Sequence, residues 1–246
     1  LLDLPSMIAP DSMVAIDTTT DGEDRTITYE ELRAAVSQTA GLLMELGVSS
    51  RDRVGLFATN SAAMLEALFA CSAVGATLVP MNYRAADEEV AHLLADSGAK
   101  LLFAETRYRD LIESCRPDSL ENIIYLDDDY IARRDEAEEF PLVTDVEDED
   151  LAALLYTSGT TSLPKGVKLT HGALSGYIMA ANDAADGSDL GRMILAAPLY
   201  HIAGLTSMLN ALYSGRITVI MSQFDPDRWL ELIAAHQVSH AFLVPT

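Results

Sequence analysis

Strand-like and helix-like runs alternate along this chain of 246 residues, and the alternation limits the folds it can adopt. Short apolar runs such as RVGLFA (53–58), TLVP (77–80) and KLLFAE (100–105) are separated by longer segments with helical spacing. Neighbouring parallel strands need a crossover connection, which is usually a helix. The sequence therefore predicts an α/β fold with layered, parallel-rich sheets flanked by helices.

Local signals place the ends of several of these elements. Thr28 and Glu31 form a capping box that begins a helix, and Gly47 ends it. Asp225 and Pro226 predict the cap and the first residue of a later helix. Further helices are predicted at 61–74, 87–95, 107–115 and from about 172, and further strands at NIIYL, LAALLYTS, MILAAP, ITVIM and HAFLVP.

Residues 127–150 are dense in Asp and Glu and break the alternation. Such a run is typical of a solvated surface connection. We therefore interpret 127–150 as a surface connection and as the candidate boundary between two subdomains of one partial domain.

The charge balance narrows the classes of partner. Sixteen basic and 38 acidic residues give a net charge of −22, which argues against nucleic acid or an anionic membrane as a partner. Two cysteines, Cys71 and Cys115, are too few for a disulfide scaffold and favour a reducing, cytoplasmic setting. We recognise no signal peptide and no transmembrane run, and the sequence leaves a homo-oligomer open.

The run TSGTTSLPKG (157–166) directly follows an apolar strand and carries the strongest chemical signal. Gly159 allows a tight turn, and hydroxyl groups together with Lys165, one of only three lysines, could bind a polyphosphate. The run is not a Walker A loop, because Pro164 replaces the second glycine and Gly166 follows the lysine. On the residues alone, a flexible Ser/Thr-rich surface turn is an equal alternative.

Three motifs resemble those of one family. TSGTTSLPKGVKLTH (157–171) resembles the phosphate-binding signature of the adenylate-forming superfamily, with Ser162 where glycine is usual. CSAVGATLVPMNYR (71–84) and PLYHIAG (198–204) resemble two further motifs of its acyl-CoA synthetase branch, in the expected order. The resemblance runs from about Thr28 onward and implies an incomplete N-terminal large domain, without the C-terminal domain and its catalytic lysine.

In that family a carboxylic acid reacts with ATP to give an acyl-adenylate, which then reacts with CoA. The resemblance implies ATP, Mg²⁺ and CoA as cofactor and co-substrates, with Mg²⁺ held through ATP and no metal ligands from the chain. It implies phosphate binding by Thr157, Ser158, Gly159, Thr160, Thr161, Ser162 and Lys165, and an acid pocket formed by Tyr200, His201 and Gly204. A structural histidine is the alternative for His201.

The motif at Tyr200-His201 also bears on the substrate. Amino-acid-activating relatives usually carry Phe-Asp there, whereas neither Tyr200 nor His201 offers a carboxylate to bind an α-ammonium group. We therefore expect a small carboxylic acid without an α-amino group, a fatty acid first and an aryl acid as the alternative. We expect the chain by itself to be inactive; a non-catalytic ligand-binding fragment and a plain α/β scaffold are the other hypotheses.

Overall fold

The computed structural model describes residues 1–19, 23–142, 146–159 and 162–243. Its helices are α1 (Asp3–Ile8), α2 (Tyr29–Glu45), α3 (Ala62–Ala73), α4 (Asp87–Ser97), α5 (Arg109–Cys115), α6 (Asp128–Glu136), α7 (His171–Ala181), α8 (Ile202–Ser214) and α9 (Pro226–His236). Its strands are β1 (Met13–Asp17), β2 (Arg25–Thr28), β3 (Arg53–Phe57), β4 (Thr77–Pro80), β5 (Leu101–Ala104), β6 (Asn122–Tyr125), β7 (Leu151–Gly159), β8 (Ser162–Thr170), β9 (Arg192–Leu195), β10 (Ile217–Ile220) and β11 (His240–Ala241). No helix in these ranges has the length and apolar character to cross a membrane.

The chain divides into two compact units, and the first contains residues 1–34, 59–62 and 174–246. Its sheet has the strand order β11-β9-β10-β1-β2, with parallel pairing except between β1 and β2. The predicted strand HAFLVP is represented by β11 alone, and its last two residues, 244 and 245, lie outside the described residues.

The second unit contains residues 35–58 and 63–173. Its sheet has the order β6-β5-β3-β4-β7-β8 and is parallel except for the last pair. Every residue of β4 and of β5 is buried, as expected for strands covered on both faces. The prediction of parallel-rich sheets flanked by helices is confirmed, with one antiparallel pair at an edge of each sheet.

The residues predicted to begin helices α2 and α9 make the expected capping contacts. The Thr28 backbone N–H donates to the Glu31 carboxylate at 2.8 Å, and the Glu31 N–H donates to the Thr28 hydroxyl at 3.2 Å. The Asp225 side chain accepts from the Arg228 N–H at 2.8 Å, and Pro226 is the first residue of α9. These contacts involve residues three apart in sequence, which is why the sequence alone predicts them.

The interpretation of residues 127–150 as a solvated connection is wrong for 128–136, which form α6. Arg134 of α6 is buried and pairs with the equally buried Glu66 of α3 at 3.0 Å. Tyr130 donates from its hydroxyl to Glu66 at 2.8 Å, and Thr39 lies 3.1 Å from the same hydroxyl. The acidic run hides this packing, because the partner carboxylate stands 68 residues away in an apolar helix. Residues 127–142 and 146–150 belong to the second unit.

Helix α8, which the sequence did not predict, begins against the segment 196–201 that follows β9. A Cβ atom added at Gly204 would lie 2.3 Å from the Pro198 carbonyl oxygen and 2.9 Å from that of Ala197. The first turn of α8 therefore approaches this segment more closely than any side chain at 204 would permit.

Removing one partner of the buried ion pair between Glu66 and Arg134 should lower the stability of the fold. We expect Glu66→Leu to lower the free energy of unfolding by about 3 kcal/mol, near the lower end for a broken buried pair, because Asp135 still bonds the guanidinium. Urea unfolding measures the change, and Glu66→Leu combined with Arg134→Met should recover most of it. Glu113→Ala, at an exposed pair with Arg116, is the control and should cost about 1 kcal/mol or less. Equal losses at the two carboxylates would contradict the prediction.

The close approach at Gly204 gives a matched comparison of two glycines. We expect Gly204→Ala to destabilise the protein by about 2 kcal/mol, because backbone atoms must move to admit the methyl group. Gly176, inside α7, has no neighbour within 4 Å of an added Cβ. Gly176→Ala should therefore raise stability by about 0.5–1 kcal/mol. Thermal unfolding of both variants measures these changes. Similar shifts in melting temperature would show that Gly204 is not under steric constraint.

Candidate functional site

The Ser/Thr-rich run lies in a β-hairpin rather than in a loop. β7 extends to Gly159 and β8 begins at Ser162, and the two pair antiparallel with Thr157 opposite Lys165. The strand predicted as LAALLYTS therefore extends one residue further, to Gly159, and residues 162–166 of the run lie in β8, which the sequence did not predict. Pro164, which has no N–H to donate, is tolerated because β8 is an edge strand.

Thr157 and Lys165 are the described side chains of the run that the structure brings together. Directly opposed residues of an antiparallel pair share one face of the sheet, with Cβ atoms about 5 Å apart. Both side chains are exposed, and among the described residues no ion pair involves Lys165. Thr160 and Thr161 lie outside the described residues, and Ser158, Gly159 and Ser162 are placed by their backbone only.

Helix α4 contacts the hairpin through Tyr156, on the face of the sheet opposite to Thr157 and Lys165. The Tyr156 hydroxyl donates to Asp96 at 2.6 Å, and His92 Nε2 donates to the Pro164 carbonyl at 2.9 Å. Burial, and then the neighbouring Asp96 carboxylate, raise the pKa of Tyr156, so its phenol stays protonated as a donor. Sequence reasoning did not assign these positions, because they are joined only by the tertiary fold.

Tyr200, His201 and Gly204 lie together in the first unit, at the start of α8. Tyr200 is buried, whereas His201 is exposed, and their ring centroids are 4.4 Å apart. His201 occupies the N-cap position of α8, and its side chain makes no cap hydrogen bond there. Gly204 acts through packing on Pro198, as described above.

His171, which closes the phosphate-binding signature, is the first residue of α7 and belongs to the second unit. Its backbone N–H donates to the Asp150 carbonyl at 3.0 Å. Burial lowers the pKa of its imidazole against the opposing effect of Asp150. This fits a structural role at the helix start.

The arrangement has the chemistry to bind an anion. An ammonium group beside a hydroxyl group on an exposed hairpin offers charge-assisted donors, and it does so in a protein of net charge −22. Within the part of the chain that the structure describes, no three His, Cys, Asp or Glu residues are grouped to hold a metal ion.

Known proteins similar to this chain include CoA synthases and synthetases, as the three motifs predict. A feruloyl-CoA synthase from an Amycolatopsis species is 36% identical over 221 residues, which cover 89% of this chain and 44% of that protein. The Mycobacterium tuberculosis fatty acyl CoA synthetase superposes with a TM-score of 0.86 at 28% identity, covering 98% of this chain and 47% of that one.

A third similar protein is the O-succinylbenzoate coenzyme A synthetase of Bacillus subtilis, solved in complex with ATP and magnesium ion. It has a TM-score of 0.80 at 25% identity, covering 98% of this chain and 62% of that chain. This chain thus spans a little under half the length of the curated relatives it matches. The family model described as AMP-binding enzyme matches residues 8–246, so the chain belongs to the AMP-binding enzyme family.

Proposed function

We propose that the whole protein is an ATP-dependent, AMP-forming acid–CoA ligase. The observation that carries the proposal is the exposed pair of Thr157 and Lys165, opposed across a hairpin whose sequence resembles the phosphate-binding signature of the adenylate-forming superfamily. The similar synthetase with bound ATP and magnesium ion supports ATP as the nucleotide.

The proposed reaction has two steps. A carboxylate oxygen of the acid attacks the α-phosphorus of ATP and the bond to the β-phosphate breaks, which forms an acyl-adenylate and releases pyrophosphate. The sulfur of CoA then attacks the acyl carbon, its proton is lost to solvent, and AMP leaves. The first step brings two anions together, so it requires positive charge near the phosphates.

In this proposal the hairpin supplies that charge. Lys165 and Thr157 donate to the oxygens of the β- and γ-phosphates. A unit charge 4 Å from a phosphate oxygen contributes roughly 4 kcal/mol at a surface dielectric near 20. Mg²⁺ supplies further charge neutralisation when it is bound through the phosphate oxygens. The adenylating lysine and the ribose and adenine contacts are proposed to lie outside this chain, which by itself would not turn over.

The proposed substrate is a carboxylic acid without an α-amino group. Tyr200 and His201 would line its pocket, with the exposed imidazole facing the acid and the buried phenol ring behind it. A medium- or long-chain fatty acid is the first candidate. An aryl acid is the second, because the similar Amycolatopsis protein is a feruloyl-CoA synthase.

The phosphate role of Lys165 predicts a kinetic effect without a loss of stability. In the whole protein, Lys165→Ala should lower kcat/KM for ATP by about 10- to 100-fold, the loss of one charged hydrogen bond. Exchange of labelled pyrophosphate into ATP measures the change, and the melting temperature should not move because the side chain is exposed. Lys168→Ala is the matched control: it lies on the same strand but on the opposite face, and should change the rate less than about twofold. Equal exchange rates for the two variants would contradict a role of the hairpin in phosphate binding.

The substrate proposal predicts which acids support exchange. Dodecanoate or ferulate should support carboxylate-dependent pyrophosphate exchange by the whole protein, whereas α-amino acids should not exceed background. The reason is that Tyr200-His201 provides no carboxylate for an α-ammonium group. Exchange with amino acids alone would contradict this assignment.

A further inference from the structure

Asn60 is a buried amide in the short connection between β3 and α3, and only 1% of its surface is exposed. Its Nδ2 group donates to the carbonyl oxygens of Ala197, at 3.1 Å, and Met221, at 3.2 Å. Its Oδ1 atom accepts from the Leu199 backbone N–H at 3.1 Å. Asn60 and all of these partners belong to the first unit, so this side chain joins its own connection to two other stretches of backbone in that unit.

Two of the three partners of Asn60 lie just before Tyr200 and His201, which are assigned to the acid pocket. Ala197 and Leu199 lie on either side of Pro198, in the segment 196–201 that connects β9 to α8. Because this segment belongs to neither element, it has no regular ladder to pair its buried N–H and C=O groups. Asn60 supplies those partners, and Tyr200 and His201 are the next two residues after Leu199.

The same segment is fixed from a second direction. The His201 N–H donates to the Pro198 carbonyl at 3.1 Å, which forms a turn, and Gly204 of α8 packs directly against that carbonyl. The backbone that carries His201 is therefore held by α8 on one side and by the Asn60 amide on another. We expect a change at either contact to shift the imidazole without removing it.

Other residues would not serve at position 60. Two of the three partners are acceptors and one is a donor, so an amide with two N–H groups and one C=O satisfies all three, and this also fixes its orientation. A carboxylate of the same shape would face two carbonyl oxygens without a proton to donate. An apolar side chain would leave three buried polar groups unpaired.

We propose that Asn60 is a positioning residue for the acid-binding site: it sets the location of Tyr200 and His201 and so tunes binding of the carboxylic acid, not of ATP. The inference rests on the proposed ligase function. Asn60 does not contact the acid, and its effect passes through the 196–201 segment. Displacement of a substrate-positioning group by about 1 Å can cost up to 100-fold in rate.

The test is the exchange kinetics of Asn60→Asp in the whole protein, with dodecanoate or ferulate as the acid, whichever the unmodified protein activates. We expect KM for the acid to rise about 10- to 100-fold while KM for ATP changes less than twofold. Asn60→Ser, which keeps one hydroxyl donor and leaves room for water, should show the same selective change to a smaller extent. It also provides the measurement if the Asp variant does not fold.

Two controls separate positioning from a general loss of structure. Asn210→Asp alters another amide of the first unit, which bonds Asn182 and the Thr206 carbonyl, and should lower the melting temperature without a selective change in acid KM. In the background of His201→Ala, Asn60→Asp should add less than about threefold to the acid KM, because two changes that act through one group are not additive.

The outcomes are distinct. A selective rise in acid KM that largely disappears in the His201→Ala background supports the proposal. Equal changes in both KM values, no change in either, or full additivity with His201→Ala would overturn it. Absence of exchange by the unmodified protein with every acid would instead refute the ligase function itself.

Discussion

Pairing of backbone polar groups is the constraint on which the structure depends. Strands β4 and β5 are buried at every residue, so each must be hydrogen-bonded along both edges, and the sheets supply those bonds. The same requirement explains two local solutions. The edge strand β8 accommodates Pro164, and the segment 196–201, which has no ladder, uses the amide of Asn60. The residues assigned to phosphate and acid binding lie at or beside these two places.

The ammonium group of Lys165 is available to a ligand although the protein is strongly acidic. Acidic residues outnumber basic ones by more than two to one. Lys100 is paired with Asp52 at 3.4 Å. Burial raises the pKa of that carboxyl, but the hydrogen bonds from Ser49 and the nearby Lys100 ammonium outweigh burial and leave the pKa lowered. Arg134 is buried against Glu66. Lys165 instead lies exposed beside Thr157, and a local cation of this kind can attract an anionic nucleotide that the net charge of the protein would repel.

Much of the fold could be predicted because its signals are local. The capping box of Thr28 and Glu31, the Asp225–Pro226 helix start and the apolar runs of the parallel strands each depend on a few neighbouring residues. Helix α6 and the β7–β8 hairpin were misjudged for a physical reason. A run of acidic residues or of hydroxyl residues resembles a solvated connection when it is read by itself. The buried partner of α6 is Glu66, which is distant in sequence, and the residues of the hairpin pair only once β7 and β8 lie side by side.

The sequence by itself determined the alternation of strands and helices, the identity of the hydroxyl and lysine donors, and the motifs that identify the family. Only the tertiary structure decided which groups meet: Thr157 opposite Lys165, Glu66 against Arg134, and Asn60 between Ala197, Leu199 and Met221. The Asn60 contacts join residues 137 to 161 positions apart. No periodicity or spacing encodes such contacts, because they exist only after the chain has brought distant backbone groups into a volume without water to satisfy them.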